Sequence, residues 1–142
     1  FCSMGFALPG AIAAGLISPD KNVLAICGDA GFLMNVQEME TAKRLNVNIT
    51  VMVWEDNMYG LIAWKQENQF GSHTDLSFNN PDWALLAESF GWNGHMIERS
   101  TDIAPTLKKS FAEEGPSLIV VPIDYRENML LTKRLGDIAT SI

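Results

Sequence analysis

The sequence lacks the long apolar runs and the basic clusters that direct proteins to membranes and nucleic acids. No apolar stretch approaches the roughly 18 residues that a membrane-spanning helix requires, so we expect no membrane partner. Lysine and arginine number 10 against 17 acidic residues, which gives a formal net charge of −7. Because nucleic-acid binding depends on clustered positive charge, this balance argues against a nucleic-acid partner.

Cysteine is scarce, and the N-terminal stretch carries no basic region ahead of an apolar segment. The two cysteines, Cys2 and Cys27, give no disulfide framework, and Cys27 is predicted to be a free thiol in the core. The missing basic region argues against a secretory signal. Together these observations favour a reducing, cytoplasmic location.

Several motifs of catalysis and cofactor binding are also missing. The two histidines, His73 and His95, have no cysteine or second histidine at the spacing of metal ligands. We predict that His73 is solvated and that His95 is structural. The sequence contains no nucleophile elbow. No Gly-x-Gly-x-x-Gly follows the first predicted strand, which argues against a dinucleotide-binding domain.

What is present is the composition and patterning of one globular domain. The 142 residues are 47% hydrophobic and 19% charged, which is typical of a folded chain with a sizeable core. Alternating strand-like and helix-like segments predict an α/β fold, a doubly wound parallel sheet with helices on both faces. The predicted strands are 23–27, 49–54, 94–98 and 117–121, and the predicted helices are 6–16, 35–45, 59–67, 82–90 and 103–113. Residues 69–79 are predicted to form a loop.

Two acidic turns carry most of the functional information. The first predicted strand ends in Gly-Asp-Ala-Gly at 28–31, and the second ends in Glu-Asp-Asn at 55–57. A helix between two strands of one sheet makes the strands parallel, so Asp29 and Asp56 should lie at the same carboxyl edge. Open α/β sheets bind ligands at that edge, and two carboxylates with turn N–H groups suit a magnesium ion carrying a phosphate ester. We predict that Glu55 is only solvated and that Asn57 is a turn former.

This pair of turns resembles the signature of thiamine diphosphate enzymes, in which Gly-Asp-Gly precedes an Asn or Asp in the next strand's turn. Ala30 replaces the third glycine of that signature. Met-Gly-Phe-Ala-Leu-Pro at 4–9 and Phe-Leu-Met-Asn-Val-Gln-Glu at 32–38 resemble two further family stretches. Trp-Glu-Asp-Asn-Met-Tyr at 54–59 is similar to a pattern of catabolic acetolactate synthases. The resemblance covers nearly the whole chain and implies the C-terminal, diphosphate-binding domain of the acetolactate synthase and pyruvate oxidase group.

The resemblance implies a magnesium site. Its protein ligands would be Asp29, Asp56 and the backbone carbonyl of Met58. Two phosphate oxygens and a water molecule would complete an octahedron around the ion.

The resemblance also implies a thiamine diphosphate site. Met4 would wedge the cofactor into a bent shape, and the Cys2 carbonyl would accept a hydrogen bond from its aminopyrimidine. The catalytic set implied is Met4 with Leu61 and Ile62, which would line the reacting centre. The full set of implied cofactor-binding residues is Cys2, Met4, Gly28, Asp29, Ala30, Gly31, Asp56, Met58, Tyr59, Gly60, Leu61 and Ile62.

The implied activity is magnesium- and thiamine diphosphate-dependent decarboxylation of a 2-oxo acid with carboligation. Two pyruvates giving acetolactate is the reaction that the resemblance favours. Pyruvate oxidase, glyoxylate carboligase, benzoylformate-type decarboxylase and oxalyl-CoA decarboxylase stay open as alternatives, as does a non-catalytic module. Some members of this group also bind FAD, and the sequence leaves that cofactor open.

The resemblance further implies that residues 1–142 are the catalytic, C-terminal part of a longer chain, truncated at the N-terminus of this domain. In the family, the glutamate that activates the cofactor comes from the N-terminal pyrimidine-binding domain of a second chain. We therefore expect a homodimer or homotetramer, and we expect the 142-residue chain to be inactive alone.

Overall fold

Four parallel strands form the centre of the fold. They are β1 (Leu24–Gly28), β2 (Thr50–Glu55), β3 (Asn93–Met96) and β4 (Ser117–Pro122), in the spatial order β1-β2-β4-β3. The computed structural model describes residues 3–127 and residue 130. The two inner strands are buried along most of their length, as expected for parallel strands covered on both faces.

The helices of the described residues lie between and around these strands. They are α1 (Ala7–Ile17), α2 (Asp29–Leu33), α3 (Glu38–Arg44), α4 (Gly60–Phe70), α5 (Trp83–Ser89) and α6 (Ile103–Ala112), with a 3-10 turn at Ser100–Asp102. None of them combines the length and the hydropathy needed to cross a membrane.

Two hydrophobic cores lie on opposite faces of the sheet, because successive strand residues point to opposite sides. The larger core contains Val51 and Leu118 from the inner strands and receives Leu8 of α1, Met39 of α3 and Trp83 of α5. The smaller core contains Met52 and Ile119, against which Ile103 and Leu107 of α6 pack. The predicted α/β fold with helices on both faces is therefore confirmed.

The connection from β1 to β2 differs from the prediction of a turn followed by one long helix. The chain enters the five-residue helix α2 at Asp29, bends through 34–37, and begins α3 at Glu38 instead of Asn35. The bend is fixed by Asn35, whose Nδ2 donates a hydrogen bond of 2.8 Å to the carbonyl oxygen of Gly5. This contact ties the segment before α1 to the bend between α2 and α3.

The inner strand β4 gives a test of the core. Leu118 is fully buried, so Leu118→Ala should lower the free energy of unfolding by about 2–5 kcal/mol through lost burial and the cavity left behind. Leu85→Ala is the matched control, because Leu85 is 59% exposed on α5 and its truncation should cost less than about 0.5 kcal/mol. Urea denaturation followed by circular dichroism measures both values, and equal losses would contradict the assignment of this core.

Candidate functional site

The two acidic turns meet at one edge of the sheet. β1 and β2 are parallel and in register, with Gly28 opposite Trp54, so both turns leave the sheet at its carboxyl end. The Asp29 Oδ2 atom accepts hydrogen bonds from the backbone N–H groups of Asp56 at 3.2 Å and Asn57 at 2.9 Å. The prediction that the two turns adjoin is confirmed.

The Asp29 carboxylate is buried and held by four donors. Its Oδ1 accepts from the Ala30 N–H at 2.8 Å, and its Oδ2 accepts from the Asn80 side-chain amide at 2.7 Å as well as from the two turn N–H groups. Asp29 is only 1% exposed, so this hydrogen bonding fixes the carboxylate in one orientation. With three of the four donors on Oδ2, Oδ1 keeps acceptor capacity for a further ligand such as a cation.

Asp56 lies beside Asp29 in the turn between β2 and α4. Its Oδ2 is 2.5 Å from the point that a Cβ on Gly60 would occupy, so the carboxylate fits there because residue 60 is glycine. Burial raises the pKa of the Asp56 carboxyl above its ordinary value, and the negative charge of Asp29 raises it further. A cation placed between the two carboxylates would remove this repulsion.

The turn that carries Asp56 leaves a backbone oxygen available. Met58 and Ser77 face each other in an isolated antiparallel bridge, whose hydrogen bonds join Tyr59 N–H to Leu76 O at 3.1 Å and Phe78 N–H to Asn57 O. Met58 is thus a non-hydrogen-bonded member of the bridge, and the bridge does not use its carbonyl oxygen. Asn57 adopts a left-handed φ of 58°, as expected of a turn former.

This donor set fits a hard divalent ion. Within residues 3–127 and 130, no group of three or more His, Cys, Asp or Glu side chains is placed to hold a metal. A magnesium ion does not require such a group, because it is commonly held by one or two carboxylates together with phosphate oxygens and water. Two carboxylates and a backbone carbonyl therefore suit magnesium that arrives with a phosphorylated ligand.

A single cavity of about 1100 Å³ brings the predicted residues together. That volume matches or slightly exceeds that of sites for drug-sized ligands and cofactors. The predicted residues that line it are Met4, Gly28, Asp29, Ala30, Gly31, Asp56, Met58, Tyr59, Gly60, Leu61 and Ile62. Cys2, the remaining predicted residue, lies outside the described residues.

Met4 reaches the cavity from the turn before α1. The next residue, Gly5, is buried and has a φ of 86°, and a Cβ there would lie 2.7 Å from the Asn35 amide nitrogen. Only glycine meets both conditions, so the turn is fixed against the α2–α3 bend. Met4 itself is 50% exposed, which places an apolar side chain at the open cavity rather than in the core.

The first turn of α4 forms an apolar wall of the same cavity. Leu61 and Ile62 are 66% and 43% exposed, whereas the adjacent Ala63 is buried and anchors the helix. Exposed aliphatic side chains at a concave surface are typical of ligand sites. The cavity therefore has an acidic end at the sheet edge and an apolar side along α4.

Sequence reasoning missed the network behind the acidic turns. Glu55 was predicted to be solvated, and this is wrong: its Oε1 accepts from Trp83 Nε1 at 2.7 Å and from Asn80 Nδ2 at 3.2 Å. Trp83 opens α5, and Asn80 lies just before it. These partners are distant in sequence, so no local pattern indicated them.

Tyr125 is a further residue that sequence reasoning did not place at the site. It follows β4, lines the cavity, and is half-buried. Burial raises the pKa of its phenol, and the charges of Asp56 and Asp29 raise it further. The Val-Pro-Ile-Asp-Tyr stretch at 121–125 was the available signal, although it reads equally as a strand exit.

The remaining single residues behave largely as predicted. Cys27 is a free thiol that packs against the larger core and lines the cavity, and burial, reinforced by the charge of Asp29, raises its pKa to about 12. His73 is exposed at the cavity. His95 on β3 is structural, since its Nε2 lies 2.7 Å from Oε2 of Glu113 at the end of α6.

Comparison with known proteins decides the family. A family profile described as thiamine pyrophosphate enzyme, C-terminal TPP binding domain, matches residues 1–121. The chain belongs to the thiamine pyrophosphate enzyme family. The resemblance drawn from the paired acidic turns is thereby confirmed.

Curated relatives within the thiamine pyrophosphate enzymes include acetolactate synthases. The catabolic acetolactate synthase of Raoultella terrigena is 38% identical over 133 residues, covering 94% of this chain and 24% of the relative. The acetolactate synthase of Bacillus subtilis is 39% identical over 129 residues, covering 91% and 23%. The chain thus spans about a quarter of the length of these relatives.

A solved structure of the same family supports the fold. The thiamine diphosphate-dependent 4-hydroxybenzoylformate decarboxylase of Rhodococcus jostii superposes with a TM-score of 0.81 at 26% identity. The match covers 87% of this chain and 24% of that one. The parallel sheet with its flanking helices is therefore the fold of a thiamine diphosphate-dependent enzyme.

Proposed function

We propose that the chain is the diphosphate-binding part of an enzyme that decarboxylates a 2-oxo acid and joins the product to a second 2-oxo acid. Acetolactate formation from two pyruvates is the reaction proposed. The observation that carries the proposal is one cavity with two adjoining carboxylates at its sheet edge and apolar side chains along its wall. Similarity to acetolactate synthases over more than nine-tenths of the chain supports this reaction over its alternatives.

The acidic end of the cavity would hold magnesium and the diphosphate. Asp29, Asp56 and the Met58 carbonyl are the proposed protein ligands of the ion, and Ala30 and Gly31 in the first turn of α2 would lie beside the phosphates. When bound, thiamine diphosphate supplies the electron sink for decarboxylation. Met4 would support the bent form of the cofactor, and Leu61 and Ile62 would exclude water from the reacting centre.

A second chain would complete the site. The aliphatic wall at Leu61 and Ile62 is exposed in the isolated chain, which supports a cavity that another domain covers. We propose that this domain is the N-terminal pyrimidine-binding domain of a partner in a cytoplasmic homodimer or homotetramer. The 142-residue chain alone should then be inactive.

Product analysis tests the proposal. The full-length protein, supplied with pyruvate, magnesium and thiamine diphosphate, should release carbon dioxide and acetolactate, whereas the 142-residue chain should release neither. Acetaldehyde as the sole product would indicate a decarboxylase instead, and turnover of benzoylformate but not pyruvate would favour a reaction like that of the Rhodococcus relative. A full-length protein that binds no thiamine diphosphate in calorimetry would contradict the proposal and favour a non-catalytic module.

A further inference from the structure

Asn80 occupies the centre of the network behind the acidic turns. Its Nδ2 lies 2.7 Å from Asp29 Oδ2, 3.0 Å from Asn57 Oδ1 and 3.2 Å from Glu55 Oε1. Three oxygen acceptors around one atom require a donor there, so the amide has one orientation only. A reversed amide would bring its oxygen against the three others.

The position of Asn80 is set from both sides. Residues 71–82 join α4 to α5, and the hydrogen bonds between Tyr59 and Leu76 and between Phe78 and Asn57 fix this segment to the turn that carries Asp56. On the other side, Asp82 caps α5 by accepting from Leu85 N–H at 3.0 Å. The backbone on both sides of Asn80 is therefore held in place, and this fixes the position of its side chain beside Asp29.

The hydrogen-bonding capacity of the Asn80 amide is only partly used. Its Oδ1 is buried and has no hydrogen-bond partner among the described residues, which costs free energy. What the amide contributes is its donor, which together with two turn N–H groups engages Asp29 Oδ2 and leaves Oδ1 with capacity for a cation. We infer that Asn80 is a positioning residue that orients the Asp29 carboxylate for binding the divalent ion. This inference rests on the magnesium site of the proposed function.

Asn80→Ala in the full-length protein tests the inference. Magnesium affinity, measured by calorimetry with thiamine diphosphate present, should fall about 10–100-fold, as is typical when a supporting partner of a metal ligand is lost. Turnover should return toward the wild-type kcat at saturating magnesium, because the substitution changes the orientation of a ligand and not the reacting groups. Asn79→Ala is the matched control, since Asn79 is the exposed neighbour, and its magnesium affinity should stay at the wild-type value.

The outcomes separate the inference from the proposed function. A wild-type protein without magnesium binding would contradict the magnesium site itself. Wild-type magnesium binding together with unchanged affinity in a folded Asn80→Ala protein would overturn the inference alone, even if its melting temperature fell. Should Asn80→Ala fail to fold, Asn80→Ser is measured in the same way, and an affinity within twofold of wild type would likewise overturn the inference.

Discussion

Replacing Asp29 with alanine in the full-length protein should abolish magnesium-dependent binding of thiamine diphosphate. The carboxylate is the most buried polar group at the cavity and adjoins the only other carboxylate proposed as a ligand. Removing this carboxylate should lower magnesium affinity by more than the roughly 10–100-fold that is typical when a residue supporting a ligand is removed. Calorimetric titration with magnesium at fixed thiamine diphosphate measures the change.

The same substitution should also destabilise the fold. Without Asp29 Oδ2, the N–H groups of Asp56 and Asn57 and the Asn80 amide lose a shared acceptor, which should cost about 1–3 kcal/mol in the free energy of unfolding. Asp20→Ala serves as the control, because Asp20 is exposed in the turn after α1, and it should leave binding and stability unchanged. An Asp29→Ala protein that binds the cofactor with wild-type magnesium dependence would refute the assignment of this ligand.

Gly60→Ala should weaken magnesium binding with little effect on stability. The added Cβ would meet Asp56 Oδ2 at 2.5 Å, so the carboxylate must move away from its place beside Asp29. We expect magnesium affinity to fall about 10–100-fold, which is the loss typical of changing a residue that supports a metal ligand. The free energy of unfolding should change by less than about 1 kcal/mol, because alanine is at least as favourable as glycine in a helix.

The control for this variant is Gly10→Ala on α1. There the added Cβ would approach the ring of Phe6, which is 72% exposed and can rotate away. Magnesium affinity should be unchanged in this control. If Gly60→Ala bound magnesium as tightly as wild type, the position of the Asp56 carboxylate against Gly60 would not matter for the ion. Asp56 would then be an unsuitable ligand.

The convergence of the acidic turns was predictable because it follows from local rules. An apolar run, a helix and a second apolar run give two parallel strands, and parallel strands end at the same edge. That reasoning needs no knowledge of distant contacts, which is why Asp29 and Asp56 could be paired from sequence. Gly91, just past the end of α5, has a φ of 68°, the left-handed conformation that glycine commonly supplies after a helix.

The residues that hold Asp29 in place could not be predicted from local sequence rules. Asn80 is 51 positions from Asp29 and lies between the predicted loop at 69–79 and the predicted helix at 82–90. The isolated antiparallel bridge between Met58 and Ser77 holds the segment that carries Asn80. A single bridge of two residues leaves no periodic pattern in the sequence. Glu55 was misjudged for the same reason, since its partner Trp83 belongs to a helix whose packing on the sheet is a tertiary property.

The start of α2 illustrates a different limit. Gly-Asp-Ala-Gly at 28–31 has the composition of a turn, yet the chain is helical from Asp29 onward. Ala30 and Phe32 are buried, so tertiary packing overrides the weak local preference of a glycine-rich stretch.

The most direct test of the central claim is the location of the metal in a crystal of the full-length protein grown with thiamine diphosphate and manganese in place of magnesium. The anomalous signal of manganese identifies the ion independently of the surrounding density. The proposed site predicts a single strong peak in contact with both Asp29 and Asp56, next to the diphosphate. A cofactor-bound crystal in which the manganese peak lies away from either aspartate would contradict the claim.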